Sequence, residues 1–230
     1  MKTPAFQTLA ATLIINFCGL AAYAAEREKG DWQSLFDGKS TAGWRSYGKP
    51  EFPNRGWVVE EGCLHLLPNG NGGDIITTAQ FDNFDLQWEW RIAPKANNGI
   101  KYLVTESRRG APGHEYQMID DSTAPKPIEE TATFYDVLPT QTKTHVKPPG
   151  EWNQSRVVIQ GNHVEHWLNG EKVLEYELGS PEVKAAVAKS KFKNAAGFGE
   201  KIKGHIMLTD HHGETWYRNI KIRELAGSAK

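Results

Sequence analysis

Nine consecutive residues, Phe84–Ile92, alternate without a break: Phe84, Leu86, Trp88, Trp90 and Ile92 are apolar, and Asp85, Gln87, Glu89 and Arg91 between them are polar or charged. A period of two puts the first set on one face of an extended chain and the second set on the other. A helix would scatter the five apolar side chains around its circumference. The stretch therefore predicts a strand with one face in a core and one towards water, the pattern of an antiparallel sheet. Such a strand needs partners to be stable.

The rest of the chain supplies them. Glu61-Gly62 separates extended runs at 57–59 and 63–66, a hairpin pattern, and residues 75–78 are a β-branched run. Gly161-Asn162 and Asn169-Gly170 join runs at 156–160, 163–168 and 171–176 into a meander, Asn-Gly being a strong short turn cue. Leu35, Phe36 and Trp44 would tuck a short edge strand against the core. Asn97-Asn98-Gly99 is expected to turn the chain into a strand over 100–104, with Lys101 and Leu103 on one face and Ile100, Tyr102 and Val104 on the other. Residues 121–131 are expected to cross the surface, and runs at 204–210 and 216–224 close the chain. Ser180-Pro181 has the form of an N-cap and first helical residue, so residues 182–193 are expected to be the one real helix. Roughly a dozen strands, one short helix and no internal repeat give an all-β, two-sheet antiparallel sandwich.

Residues 1–24 have the form of a secretory signal peptide. Lys2 gives a positive start, residues 9–22 are apolar, and Ala22-Tyr23-Ala24 is a small-residue cleavage site. The expectation is an exported, periplasmic or extracellular protein with one domain over 25–230 and no membrane attachment after cleavage. Removing the segment leaves 26 basic against 28 acidic residues, a balance that gives no electrostatic reason for a nucleic acid partner. Cys18 leaves with the signal and Cys63 remains alone, so a disulfide framework is excluded.

Residues 114–121, His-Glu-Tyr-Gln-Met-Ile-Asp-Asp, form the stretch with the most chemistry. As a strand it would turn Tyr116 and Met118 to the core and present Glu115 and Gln117 together on the other face, ~7 Å apart, within reach of one sugar-sized ligand.

Several motifs together resemble the 3-keto-disaccharide hydrolase family. They include Leu35-Phe36-Asp37-Gly38-Lys39, Asn98-Gly99-Ile100-Lys101-Tyr102, Glu115-Tyr116-Gln117, Phe134-Tyr135-Asp136, Pro149-Gly150-Glu151-Trp152-Asn153, Ala188-Lys189-Ser190-Lys191-Phe192, Asp210-His211 and Arg218-Asn219-Ile220-Lys221-Ile222, in order from about residue 31 to 225. The resemblance implies a concanavalin A-like jelly roll of the lectin and glucanase type, holding a carbohydrate already oxidised at carbon 3. The chain departs from the family pattern at His212, where a glycine is usual, which leaves substrate choice at that edge open.

Ordinary glycoside hydrolysis uses two carboxylates across the scissile bond. Here the position beside Glu115 carries the amide of Gln117. A 3-keto sugar lifts the requirement, because the ketone acidifies the proton on carbon 2, and one base can then start an elimination that expels the group on carbon 1. His211 is the expected base, imidazole having a pKa near the operating pH. Glu115 is the expected proton donor, an alternative base, or a metal ligand. Lys101 would steady an enolate oxygen. Gln117 and Tyr135 suit hydroxyl recognition; Lys191, placed on the helix, and Asp210 complete the expected substrate-binding set. A divalent metal held by Glu115, Asp120 or Asp121 would polarise the ketone, and the cofactor question stays open. His163 and His166 are read as sheet-surface residues. A non-catalytic carbohydrate-binding module of the same fold is the alternative, and a hydrolase of unoxidised polysaccharide a third reading.

Overall fold

The computed structural model describes residues 30–108 and 110–227. The expected signal peptide, residues 1–24, lies outside the described residues. Two antiparallel sheets pack face to face. One contains β1 (Gln33–Ser34), β3 (Trp57–Glu60), β4 (Cys63–Leu66), β6 (Phe84–Ile92), β9 (Asn153–Gln160), β10 (His163–Leu168), β11 (Glu171–Glu177) and β13 (Thr215–Glu224). Its order is β11-β10-β9-β6-β13-β4-β3, with β1 also paired to β13. The other runs β2-β5-β12-β7-β8 and contains β2 (Trp44–Ser46), β5 (Ile75–Thr77), β7 (Asn97–Val104), β8 (His114–Ile119) and β12 (His205–Leu208). The helix α1 spans Pro181–Lys189, capped by the Ser180 hydroxyl, which accepts from the Val183 N–H.

The alternation of β6 is realised in full. Phe84, Leu86, Trp88, Trp90 and Ile92 all lie in the core between the sheets. Trp88 meets Tyr116 of β8 edge to face at 5.0 Å between ring centroids, and its indole N–H points at the Met118 sulfur, 3.4 Å away. Tyr116 and Met118 thus face the core. On the opposite face of β6, Asp85 is clasped by Arg156, Nε to Oδ1 at 2.7 Å and Nη2 to Oδ2 at 2.8 Å, and by Arg223.

Four expectations need correction. Asn97-Asn98-Gly99 belongs to β7 rather than to a turn: Asn97 pairs with Ile119 and Gly99 with Gln117. Within β7, Leu103 has a φ of 51°, and two residues of β7, Tyr102 and Leu103, oppose one of β12, Ile206, between the His205–Val104 and Met207–Lys101 pairs. This bulge shifts the parity by one. Leu103 therefore joins Ile100 and Tyr102 in the main core, while Val104 joins Ile76 and Met207 in a small cluster of its own. The helix stops at Lys189, and Lys191 lies beyond the Ser190 cap. His166, read as a surface residue, is fully buried, because alternation along β10 sends His163 outwards and His166 inwards with Val164 and Leu168.

The buried His166 holds a directed chain of hydrogen bonds between the sheets. The Ala132 carbonyl can only accept, so Nδ1 of His166 carries the proton and donates to it at 2.8 Å. Nε2 therefore accepts from the Tyr102 hydroxyl at 2.7 Å, which in turn accepts from Tyr176. Burial holds His166 neutral, its pKa pushed down from 6.5 to about 4. His114 is likewise pushed down to about 3 by burial, then by the Arg108 and His166 charges. Its Nε2 accepts the Gly199 N–H at 3.0 Å.

Both rings have folded-state pKa values below their unfolded value, so the unfolded chain binds these protons first as pH falls. Folding stability from these two sites is thus complete above about pH 6.5 and drains away as pH drops towards about 4 and then about 3. Urea unfolding midpoints measured from pH 8 to pH 4.5 are expected to start falling below pH 6.5, ahead of carboxylate titration. A midpoint flat down to pH 5 would contradict the neutral, buried assignment.

Candidate functional site

The face of the five-stranded sheet turned away from the core is built around β7 and β8. Every residue of β8 is buried. With Tyr116 and Met118 committed to the core, Glu115 and Gln117 occupy the other face, and register sets Lys101 opposite Glu115 and Gly99 opposite Gln117. Lys101 Nζ stands 3.6 Å from Glu115 Oε2. Glu115 lies over the glycine: a Cβ at residue 99 would come within 2.5 Å of Glu115 Oε1 and 2.9 Å of its Cγ. Gln117 donates to Asn97 Oδ1 at 3.1 Å.

Two acceptors are left over. Glu115 Oε1 and Gln117 Oε1 are buried and have no hydrogen-bond partner. An orphaned buried polar atom costs about 1–3 kcal/mol, more when charged, and two on adjacent outward positions of one strand mark a place where the fold is not optimised for stability alone.

The free edge of β8 is covered by residues 131–138. Ala132 donates to the Gln117 carbonyl and Tyr135 to the Glu115 carbonyl, at 2.9 and 3.1 Å. This docks Tyr135 beside the Glu115–Lys101 pair. Burial first, then the carboxylates of Glu129, Glu115 and Asp136, push the Tyr135 phenol up, with Lys101 opposing them. The phenol therefore stays protonated and can donate a hydrogen bond. Lys191 follows: its backbone N–H donates to Asp136 Oδ2 at 2.7 Å, and its Nζ lies 4.2 Å from the centre of the Tyr135 ring. Lys101, Glu115, Gln117, Tyr135 and Lys191 thus gather along the β7–β8 edge.

His211 stands further along the same sheet. Thr209 is tied to Gly99 in both directions, Gly99 N–H to Thr209 Oγ1 at 2.7 Å and Thr209 N–H to the Gly99 carbonyl at 3.1 Å. The His211 N–H donates to Asn98 Oδ1 at 3.0 Å, and its side chain is exposed. Its backbone, in the bend after β12, is therefore held at Asn98, the residue next to Gly99, on which the Glu115 carboxylate rests.

Asp210 is positioned differently from the expectation of a substrate ligand. Oδ2 accepts the Gly73 N–H at 2.8 Å and Oδ1 the His212 N–H at 3.0 Å. Its carboxylate shapes the turn that carries His211. Asp120 and Asp121 do not converge with Glu115 on a common point: Asp120 accepts from Ser122 and from the Lys95 N–H, and Asp121 from the Thr131 N–H. Strand parity explains this for Asp120, an odd number of residues from Glu115. Among the described residues, His163, Glu165 and Glu175 are the group of three whose ligand atoms lie within 4.8 Å of one another, and they belong to β10 and β11 of the other sheet.

The strand position of Asn98 and Gly99, and their tie to Thr209, do not follow from the local sequence, because Asn-Asn-Gly has the form of a turn. The signal available was the family motif around Asn98-Gly99-Ile100-Lys101-Tyr102, which would be strange as a turn followed by an exposed lysine.

Comparison with known proteins gives concordant matches. A family model described as a 3-keto-alpha-glucoside-1,2-lyase-like domain matches residues 31–223. A curated protein of Bacteroides thetaiotaomicron named 3-keto-disaccharide hydrolase is 32% identical over 228 residues, covering 84% of this chain and 78% of the relative. A crystal structure from Parabacteroides distasonis, described as a candidate glycosyl hydrolase, superposes with a TM-score of 0.77 at 32% identity, covering 89% of this chain and 97% of that one. A β-agarase B bound to agaro-octaose shares the fold with a TM-score of 0.58 at 8% identity, covering 87% and 95% of the two chains.

The contact between Glu115 and Gly99 gives a testable coupling. Gly99→Ala alone is expected to cost about 1–3 kcal/mol by overpacking. Combined with Glu115→Ala, which removes the two tightest contacts and leaves the Tyr116 carbonyl oxygen at 3.0 Å, the added methyl should cost less, so the double variant is more stable than the sum of the singles in urea unfolding. Simple additivity would show that the carboxylate does not rest on residue 99.

Proposed function

The chain belongs to the 3-keto-alpha-glucoside-1,2-lyase-like family, and from that membership we propose that it is an exported enzyme that cleaves 3-keto-glycosides or 3-keto-disaccharides. The observation that carries the reading is the content of one face: a buried carboxylate with an ammonium 3.6 Å away, and an amide where a second carboxylate would stand beside it. A paired acid and nucleophile of the usual glycosidase kind would need carboxyl groups about 5–10 Å apart across the bond. The Gln117 amide can neither donate a proton as an acid nor attack as a nucleophile.

A ketone at carbon 3 makes one base sufficient. His211 takes the proton from carbon 2, and the electron pair left there delocalises onto the ketone oxygen. Lys101 holds that developing charge electrostatically. When the enolate returns its electrons, the bond between carbon 1 and the departing oxygen breaks, and Glu115, which must enter this step in its protonated form, supplies the proton that this oxygen needs. The sugar is left with a double bond between carbons 1 and 2. Addition of water, hydroxyl to carbon 1 and hydrogen to carbon 2, completes net hydrolysis; release before that step gives a lyase product. Gln117, Tyr135 and Lys191 hold the sugar hydroxyls. A divalent metal, if bound through Glu115, would add Lewis-acid polarisation of the ketone.

The roles separate by isotope exchange. In deuterated water, the enzyme should exchange the carbon 2 proton of 3-keto-trehalose and release 3-keto-glucose, both followed by NMR. His211→Ala should lose exchange and cleavage together, by about 10²–10⁴-fold. Glu115→Gln should keep exchange while cleavage falls by a similar factor. Glycan binding without turnover, with and without divalent metal, would replace this reading with a carbohydrate-binding module.

A further inference from the structure

Beyond the Lys191 end of the β7–β8 edge, the loop between these strands and the segment after α1 enclose a hollow of about 460 Å³. Arg108 and Lys191 both line it, with Ser107, Phe192 and Asn194, and among the described residues no acidic side chain does. Lys191 is shared with the site, through its contact with the Tyr135 ring. The hollow therefore adjoins the Tyr135 side of the site and lies towards the end of β7 and β8 away from His211.

Arg108 is the unusual member. Its Nε and Nη2 are closed off from water and have no hydrogen-bond partner. These are the two donors on one edge of the guanidinium, the edge that matches two oxygens of one anionic group. Arg156 shows the same edge filled, donating through Nε and Nη2 to the two oxygens of Asp85 at 2.7 and 2.8 Å. The Phe198 ring lies 5.7 Å from the Arg108 guanidinium carbon. Burying the fork without an acceptor is unfavourable. A turn of the flexible side chain away from Phe198 would bring it into the hollow, where a second cation stands.

We propose that the Arg108–Lys191 hollow is an anion subsite, and that the enzyme acts on glycosides that carry an acidic group, a carboxylate or a phosphate ester, on the sugar or the departing part nearest that end. This rests on the sugar-cleaving reading above and specifies its substrate class. The anion would dock with one oxygen on each of the Arg108 donors and face Lys191, while the reacting ring lies over Gly99 and Lys101. Asn194 and Ser107 are available for the remaining oxygens.

Calorimetric titration of the protein at low salt with D-glucuronate, glucose 6-phosphate and methyl glucoside tests it without requiring turnover. At least one anionic sugar is expected to bind about tenfold or more tightly than methyl glucoside, and the two anionic arms tell carboxylate from phosphate. Arg108→Gln should erase that preference while keeping a wild-type melting transition; should it fail to melt cooperatively, Lys191→Gln serves in its place and should reduce the preference. Equal affinity for all three sugars, or an anionic preference untouched by the substitution, overturns the subsite. Turnover of 3-keto-trehalose is scored separately. Cleavage without anionic preference sinks the subsite alone, and anionic preference without cleavage sinks the enzymatic reading alone.

Discussion

A strand buried on both faces has no solvent to offer a polar side chain, and β8 is such a strand. Tyr116 and Met118 take the side towards Trp88, so Glu115 and Gln117 must find room and partners on the other side from a single neighbouring strand. That strand answers with one lysine, one glycine and one asparagine, at positions 101, 99 and 97. The glycine gives the carboxylate space, the lysine gives it charge, and Asn97 takes the amide hydrogen of Gln117. Slipping the register by one residue would send Glu115 into the aromatic core and Tyr116 out of it. The site and the core are thus two sides of one pairing, and whatever keeps the sandwich folded keeps Glu115 in place.

Much of this was legible in the sequence. Alternation in Phe84–Ile92 and the Gly-Asn and Asn-Gly turns of the meander give the two-sheet architecture, since period and turn chemistry are local properties. The face shared by Glu115 and Gln117 follows from parity alone. What parity does not reveal is a bulge: the extra residue near Leu103 depends on how β12 fits against β7, a contact between residues a hundred positions apart. The same distance hid the role of Asp210, whose carboxylate is occupied by backbone groups of the loop at Gly73 and of its own turn. His166, expected on the sheet surface, is a different case, because its parity with Val164 and Leu168 already points inward. Only its partners, Tyr102 and Ala132, needed the fold to appear.

The polar chain through the core has a consequence for rigidity. Tyr116 bonds to Ser155 and to the Trp167 carbonyl, and Tyr102 to His166 and Tyr176, so both strands of the site, β7 and β8, are bolted to the opposite sheet by hydroxyl groups. A hydrophobic interface tolerates small sliding, whereas directed bonds of this kind hold one relative position. Lys101 is the immediate neighbour of Tyr102 and Glu115 of Tyr116. Lys101 and Glu115 therefore sit one residue from fixed points, which holds their relative position.

Charge is distributed with similar economy. The chain has 28 acidic and 27 basic residues, so no surplus of cations forces any arginine to go without a partner. Arg45 takes Glu106, Arg156 and Arg223 share Asp85, and Arg218 takes Glu89. Arg91, whose Nε is also unpaired, is spread over the Trp152 and Trp216 rings. Arg108 alone among these is left with two donors on one edge, beside a hollow that holds another cation. The nearby Asp136 carboxylate is taken by the Lys191 N–H and, among the described residues, does not line that hollow, a pattern that fits a ligand bringing the opposing charge.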